Sequence, residues 1–204
     1  ALLHHEVFLR IDDPDKPGTP IAAAVFMPMV EGTGLADAVD RAVIARVIED
    51  IGNGLYPGAV AVNISPHSLA ADGMLDWLLE RLRGRADVAS RLILEVPEYG
   101  AAAHIAELEL WRIRLAAFGV AVSLDHFGKG FSAFAFLRKV KVDYLKIDGS
   151  FVRDLATQDD NRFLLRTIID IGHGLDMRVI AEAVESEDEW QLLQSIGVDG
   201  GRGY

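Results

Sequence analysis

Val120-Ala121-Val122-Ser123-Leu124-Asp125 is a short apolar run closed by a carboxylate, and its reading decides the fold. The same device recurs along the chain. Asn63 closes Ala59-Val60-Ala61-Val62, Glu95 closes Leu92-Ile93-Leu94, and Glu182 closes Val179-Ile180-Ala181. Lys146 lies in Asp143-Tyr144-Leu145-Lys146-Ile147-Asp148, and Glu6 opens Glu6-Val7-Phe8-Leu9-Arg10. If each run is a parallel strand, these polar groups gather at one end of a sheet. In a β/α barrel that end carries the chemistry, because strand C-termini and βα loops build the site there. Carboxylates with one amide and one lysine suit divalent cations and a phosphate ester.

Between the runs lie segments with helical spacing. Residues 39–51 place apolar side chains at 39, 43, 44, 47, 48 and 51, with charges on the other face. Further helices are expected over 74–82, with Trp77 and Leu78 inward, and over 105–118, 133–140, 163–171 and 187–196. Gly119 reads as the glycine that ends the helix over 105–118. Strands are expected over 59–64, 92–96, 120–125, 144–147, 178–181 and from Val198, with a glycine-rich loop over 127–130. Alternating strands and helices imply parallel βαβ units. Six or seven in a row, with polar residues at the strand ends, predict an α/β fold, a TIM-type (β/α) barrel. The eighth strand is expected either outside this sequence or from 22–26.

Composition narrows the functional classes. The chain has 204 residues, half of them hydrophobic, enough for one sizeable core. A net charge of −11 argues against a DNA or RNA surface, since phosphate backbones are held by basic patches. A small phosphorylated ligand stays open, because metal ions neutralise it locally. With no cysteine there is no disulfide, zinc-thiolate site or thiol nucleophile, which fits a reducing compartment. No apolar run approaches the roughly 20 residues of a membrane span, and no signal peptide is visible. The expectation is a single domain over 1–204, cytoplasmic, cut from a longer multidomain signalling protein that is membrane-anchored.

Eight short motifs, in order, resemble those of the EAL domain, the cyclic-di-GMP phosphodiesterase or receptor domain of bacterial second-messenger signalling. They are Glu6-Val7-Phe8-Leu9-Arg10, Phe26-Met27-Pro28-Met29-Val30-Glu31, Asn63-Ile64-Ser65, Glu95-Val96-Pro97-Glu98, Asp125-His126-Phe127-Gly128-Lys129-Gly130, Lys146-Ile147-Asp148, Glu182-Ala183-Val184-Glu185 and Arg202-Gly203-Tyr204. The resemblance implies that Glu6, Asn63, Glu95 and Asp125 hold a first Mg²⁺ or Mn²⁺. It places Glu182, with the residue at 126, at a second cation, and Lys146 at the attacking water. It puts Arg10, Pro28, Asp148 and position 202 at the ligand, and Glu98 and Glu185 as braces of the loop after Asp125. The implied partners are cyclic-di-GMP, an adjacent GGDEF or sensor domain, and a second copy in a homodimer.

Two departures stand out. The family has Asp where this chain has His126, and Gln where it has Arg202. An imidazole is a poor ligand for Mg²⁺ and brings no negative charge. Arg202 brings a fixed positive charge that either repels a second cation, pairs with a ligand phosphate, or bridges to Asp199 or a neighbouring carboxylate. Both changes fall at the second cation. The sequence therefore predicts a cyclic-di-GMP receptor or regulatory module with weak or lost hydrolysis. The alternatives are an active phosphodiesterase giving pGpG, with His126 as a metal ligand, and a protein-interaction domain without nucleotide. Retention of Glu6, Arg10 and Asn63 argues against the last.

Overall fold

The structure is a computed structural model, and it describes residues 2–128, 137–153, 155 and 159–203, with the side chains of 159 and 160 left aside. Residues 133–136 of the helix expected over 133–140, and most of the loop after Phe127, lie outside these residues. The chain divides into two compact units, Ala1–Glu95 with Ile113–Ala121, and Val96–Arg112 with Val122–Tyr204.

The first unit is built on β1 (His4–Val7), β4 (Ala59–Asn63) and the start of β5 (Leu92–Pro97). β1 pairs in parallel with β4, and β4 with β5. The register sets Asn63 directly opposite Glu95, so two of the polar strand ends are neighbours. Helix Ala36–Gly52 covers this sheet with Ile44, Val47, Ile48 and Ile51, each at most 2% exposed. Helix Met74–Leu82 keeps its expected bounds and buries Leu75, Leu78, Leu79 and Leu82. Trp77 departs from expectation. It is only half-buried, with the guanidinium carbons of Arg41 and Arg81 at 5.0 and 5.4 Å from its ring centroid, a cation–π contact on both sides.

Two strand expectations are corrected in this unit. The run Glu6–Arg10 is not one strand: β1 ends at Val7, and Arg10 begins β2 (Arg10–Asp12), which pairs antiparallel with β3 (Pro20–Ala22). The connection carries the turn chemistry that makes this hairpin. Asp13 Oδ1 accepts the Asp15 amide at 2.9 Å, and Gly18 takes φ +84°. Residues 22–26 supply no eighth strand either. Helix Ala23–Gly32 starts immediately after β3, and its buried side chain is Phe26.

The second unit holds β6 (Ala121–Phe127, from Val122 on), β7 (Tyr144–Ile147), β8 (Arg178–Val184) and β9 (Gly200–Gly203), parallel in that order. Leu145, Ile147, Val179 and Ile180 are buried in its core, as are Leu165, Ile168 and Ile169 of helix Asp159–Gly174. Helix Glu187–Ile196 opens on a reciprocal cap. Ser186 Oγ accepts the Glu189 amide, and Glu189 accepts the Ser186 amide. Glu187, Asp188 and Glu189 lie in its first turn, where carboxylates favour the helix dipole. Asp199 Oδ2 bonds both His173 Nε2 and the Val179 amide, which anchors the start of β9.

Candidate metal and nucleotide site

Two β-bulges aim the carboxylates of the second unit. The β6–β7 register shifts between Leu124 and Phe127, and the β8–β9 register between Ala181 and Val184. Each shift falls on a carboxylate and the residue after it, Asp125-His126 and Glu182-Ala183. His126 and Ala183 take φ +56° and +53°. A bulge inserts one residue, bends the strand and re-aims the side chain beside it. Histidine is among the residues enriched in this left-handed region. Alanine is not, and its Cβ costs about 1 kcal/mol there relative to glycine. The bulge is admitted because residue 149 has no side chain: a Cβ on Gly149 would lie 2.6 Å from that of Ala183. Ala183→Gly should therefore raise the unfolding free energy by about 1 kcal/mol. A urea midpoint that stays or falls would contradict the strain at this bulge.

Around the bulges, six charged or titratable groups converge. Lys146 Nζ is 3.2 Å from Asp125 Oδ1 and 3.4 Å from Glu182 Oε1. Its side chain is 1% exposed, so it is an ammonium held inside the fold by two buried carboxylates. Arg202 Nη1 donates to Glu182 Oε1 at 3.0 Å. His126 Nδ1 is 3.0 Å from Glu182 Oε2 and 3.3 Å from Asp148 Oδ2. Two carboxylate oxygens around Nδ1 require a proton on it. His126 Nε2 lies 3.5 Å from Asp125 Oδ2. Asp148 also caps the turn that follows, Oδ1 accepting the Ser150 amide at 3.0 Å.

The field of this cluster separates the two acids. Burial pushes Asp125 above the usual carboxylate range, and the charge of Glu182 adds to that against the pull of Lys146. Burial would raise Glu182 as well. There the His126 hydrogen bond and the charges of Lys146, His126 and Arg202 outweigh it and hold the carboxyl below the usual range. Glu182 is thus a fixed anion, stabilised by the cationic side chains aimed at it.

The other expected site residues belong to the first unit or to the loop. Asn63 Nδ2 lies 3.5 Å from Glu6 Oε1, and Asn63 faces Glu95 in register, so Glu6, Asn63 and Glu95 lie on three adjacent strands. Arg10 is exposed on β2, and Pro28 is exposed within helix Ala23–Gly32. Glu98 braces the loop after Asp125: its Oε2 accepts the Gly128 amide at 3.0 Å. Glu185 is exposed, its amide donating to Glu189, and most of the loop it was expected to brace lies outside the described residues. The motif reading missed one support. The Ser65 amide donates to Asp40 at 2.8 Å and its hydroxyl to Glu31 at 2.9 Å, fixing the turn after Asn63. Ser65 and Glu31 sat inside quoted motifs. Asp40 is a lone carboxylate on the buried face of a helix, the signal that had been available for it.

These donor sets differ in their fit to cations. Glu6, Asn63 and Glu95 offer hard oxygens from neighbouring strands, the chemistry that Mg²⁺ and Mn²⁺ take. Asp125, His126 and Glu182 also place one ligand atom each within 4.8 Å of one another. Yet both Glu182 oxygens and both Asp125 oxygens already face cationic or N–H groups. His126 presents a proton rather than a lone pair at Nδ1. As arranged, the second set does not fit a hard dication.

The chain belongs to the EAL domain family, whose model matches residues 1–204. Among its relatives, the cyclic di-GMP phosphodiesterase PdeB of Shewanella oneidensis is 31% identical, over 98% of this chain and 23% of that protein. The bifunctional diguanylate cyclase/cyclic di-GMP phosphodiesterase MucR of Pseudomonas aeruginosa is 31% identical, over 98% of this chain and 29% of that protein. The chain thus spans about a quarter of the length of these relatives. Among solved structures, the PaMucR phosphodiesterase in complex with c-di-GMP matches with a TM-score of 0.86 and 30% identity, over 97% of this chain and 81% of that one. The FimX EAL domain of Pseudomonas aeruginosa bound to c-di-GMP matches with a TM-score of 0.89 and 28% identity, over 98% and 81%. The fold class is therefore the TIM-type α/β barrel expected from the sequence. Among the described residues, no helix is long and apolar enough to cross a membrane.

Proposed function

We propose that this domain binds cyclic-di-GMP and acts as a receptor or regulatory module with weak or lost hydrolysis. Its relatives and solved neighbours carry that nucleotide in their names, and of the motif residues for it Arg10, Pro28 and Asp148 are retained here. On the family pattern, Arg10 clamps a phosphate, Pro28 and Asp148 contact the ligand, and Glu6, Asn63, Glu95 and Asp125 hold one Mg²⁺ or Mn²⁺. That ion would polarise a phosphoryl oxygen. Lys146 keeps Asp125 and Glu182 oriented, and Glu98 holds the Gly128 amide in place. The observation that carries the weak-hydrolysis reading is the Glu182 carboxylate, which faces Arg202, Lys146 and His126 at 3.0–3.4 Å. Such a group is a poor ligand for a second cation.

A second reading, an active phosphodiesterase giving pGpG, draws on the closeness of the Asp125, His126 and Glu182 ligand atoms. In either reading the domain works within a longer signalling protein, next to a GGDEF or sensor module, a reading that the greater length of its relatives supports. A homodimer and a cytoplasmic position for the domain belong to the same proposal.

Calorimetry tests the binding. Cyclic-di-GMP should bind the parent, and Arg10→Ala should weaken it tenfold or more, since a charge-assisted hydrogen bond contributes about 1.5–3 kcal/mol. An unchanged Kd would remove Arg10 from the phosphate.

A further inference from the structure

Arg202 stands where the family pattern has a neutral amide, and its guanidinium is spent on Glu182. Nη1 lies 3.0 Å from Oε1, the same oxygen that Lys146 approaches to 3.4 Å. The opposite oxygen, Oε2, takes the His126 Nδ1 proton at 3.0 Å. Asp125 and Asp148 complete the cluster, so three carboxylates face two fixed cations and one imidazole. The arrangement is balanced within the fold. A dication entering between Asp125 and Glu182 would meet Lys146 and Arg202 and would displace hydrogen bonds already made.

The two fixed cations are not equivalent. Lys146 is buried on β7, whereas Arg202 reaches Glu182 from β9 with its side chain 42% exposed. Glycines surround it in the sequence: Gly200, Gly201 and Gly203. Their backbones pass close to β8, since a Cβ on Gly203 would overlap the Val184 carbonyl oxygen. Close passage at the β8 bulge lets a side chain from β9 reach back to Glu182, the residue that opens the bulge. Position 202 is thus placed by backbone geometry to present its side chain to Glu182, and arginine makes that side chain a cation.

We infer that Arg202 is a tethered cation that takes the place of the second divalent ion at Glu182. This rests on the reading of the domain as an EAL-type nucleotide binder, and it adds a specific claim about loading. Arg202, acting through Glu182, is a positioning residue, and it lowers the cation count of the domain by one.

Mn²⁺ binding, counted by calorimetry and by the loss of the free-ion electron paramagnetic resonance signal, tests it. Arg202→Gln should bind one more Mn²⁺ per chain than the parent. Arg202→Lys keeps the charge and should keep the parent's count. In Arg202→Ala, millimolar guanidinium should return the extra site to the parent's state. The inference is overturned if Arg202→Gln and the parent bind the same number of ions with the same affinity, or if Arg202→Lys behaves like Arg202→Gln. Circular dichroism of each variant identifies any that fails to fold, and the lysine and alanine variants then decide the matter. Cyclic-di-GMP titrated in parallel keeps the two claims apart. A parent that binds no nucleotide sinks the receptor reading and leaves the Mn²⁺ count standing. A parent that binds nucleotide, with no change of count on removing Arg202, sinks the tethered cation alone.

Discussion

Lys146→Met should lower the unfolding free energy by about 3–5 kcal/mol in EDTA, the range for breaking a buried charge pair by removing one partner. The size follows from geometry. Lys146 is 1% exposed and is shared by Asp125 and Glu182, whose side chains are 5% and 6% exposed. Methionine fills the space but leaves Asp125 without its nearest cation, while Glu182 keeps Arg202 and His126. The loss depends on pH with a definite sign. Asp125 already sits above its ordinary carboxylate range, by burial first, and Lys146 pulls it down more than His126 does. Without Lys146 the folded state binds the Asp125 proton more tightly than the unfolded chain does. Stability of the variant then falls as pH rises through the folded pKa of Asp125, and the penalty shrinks toward acid. Urea unfolding at two pH values checks both points. A loss under 1 kcal/mol, or a loss that grows on acidification, would contradict the role of Lys146.

His126→Asp with Arg202→Gln should raise Mg²⁺-dependent hydrolysis of cyclic-di-GMP by about 10–100-fold over the parent, the scale on which residues around a metal alter its affinity. The first change restores a hard oxygen ligand and a negative charge. The second removes a guanidinium whose fixed positive charge would oppose a dication held at Glu182. The pair belongs together because both side chains converge on Glu182, at 3.0 Å each. Neighbours sharing a partner are not additive, so each single variant should recover less than its share. Product chromatography of the four proteins measures this. A double variant no faster than the parent would show that position 126 and position 202 do not limit turnover.

Much of this site was legible in the sequence, for a physical reason. A short apolar run with a polar residue at its end is a parallel strand delivering a side chain to the functional edge, which is how the sequence places Asp125, Lys146 and Glu182 at neighbouring strand ends. β7 and helices Met74–Leu82 and Glu187–Ile196 fall on their expected residues, because continuous apolar runs and capped 3.6-residue periods carry their own boundaries. The β2–β3 hairpin was not legible, since three-residue strands are too short to show a period. It took Arg10 off β1, and it turned 22–26 from a strand into a hairpin end and a helix start. The bulges were equally silent. Nothing in Asp125-His126 or Glu182-Ala183 announces a left-handed second residue, and the partner of Arg202 depends on that backbone. The sequence left Arg202 between a cation it repels, a ligand phosphate and a nearby carboxylate. The β8–β9 register decides for the carboxylate, Glu182.

The receptor reading stands or falls on turnover by the parent domain. Purified protein with cyclic-di-GMP and Mg²⁺, and then Mn²⁺, followed by chromatography for pGpG with binding measured on the same sample, gives the most direct answer. Binding with hydrolysis far below one turnover per second is the predicted result. Hydrolysis at several turnovers per second, close to the median of enzymes at roughly 10 per second, would contradict it and establish the phosphodiesterase.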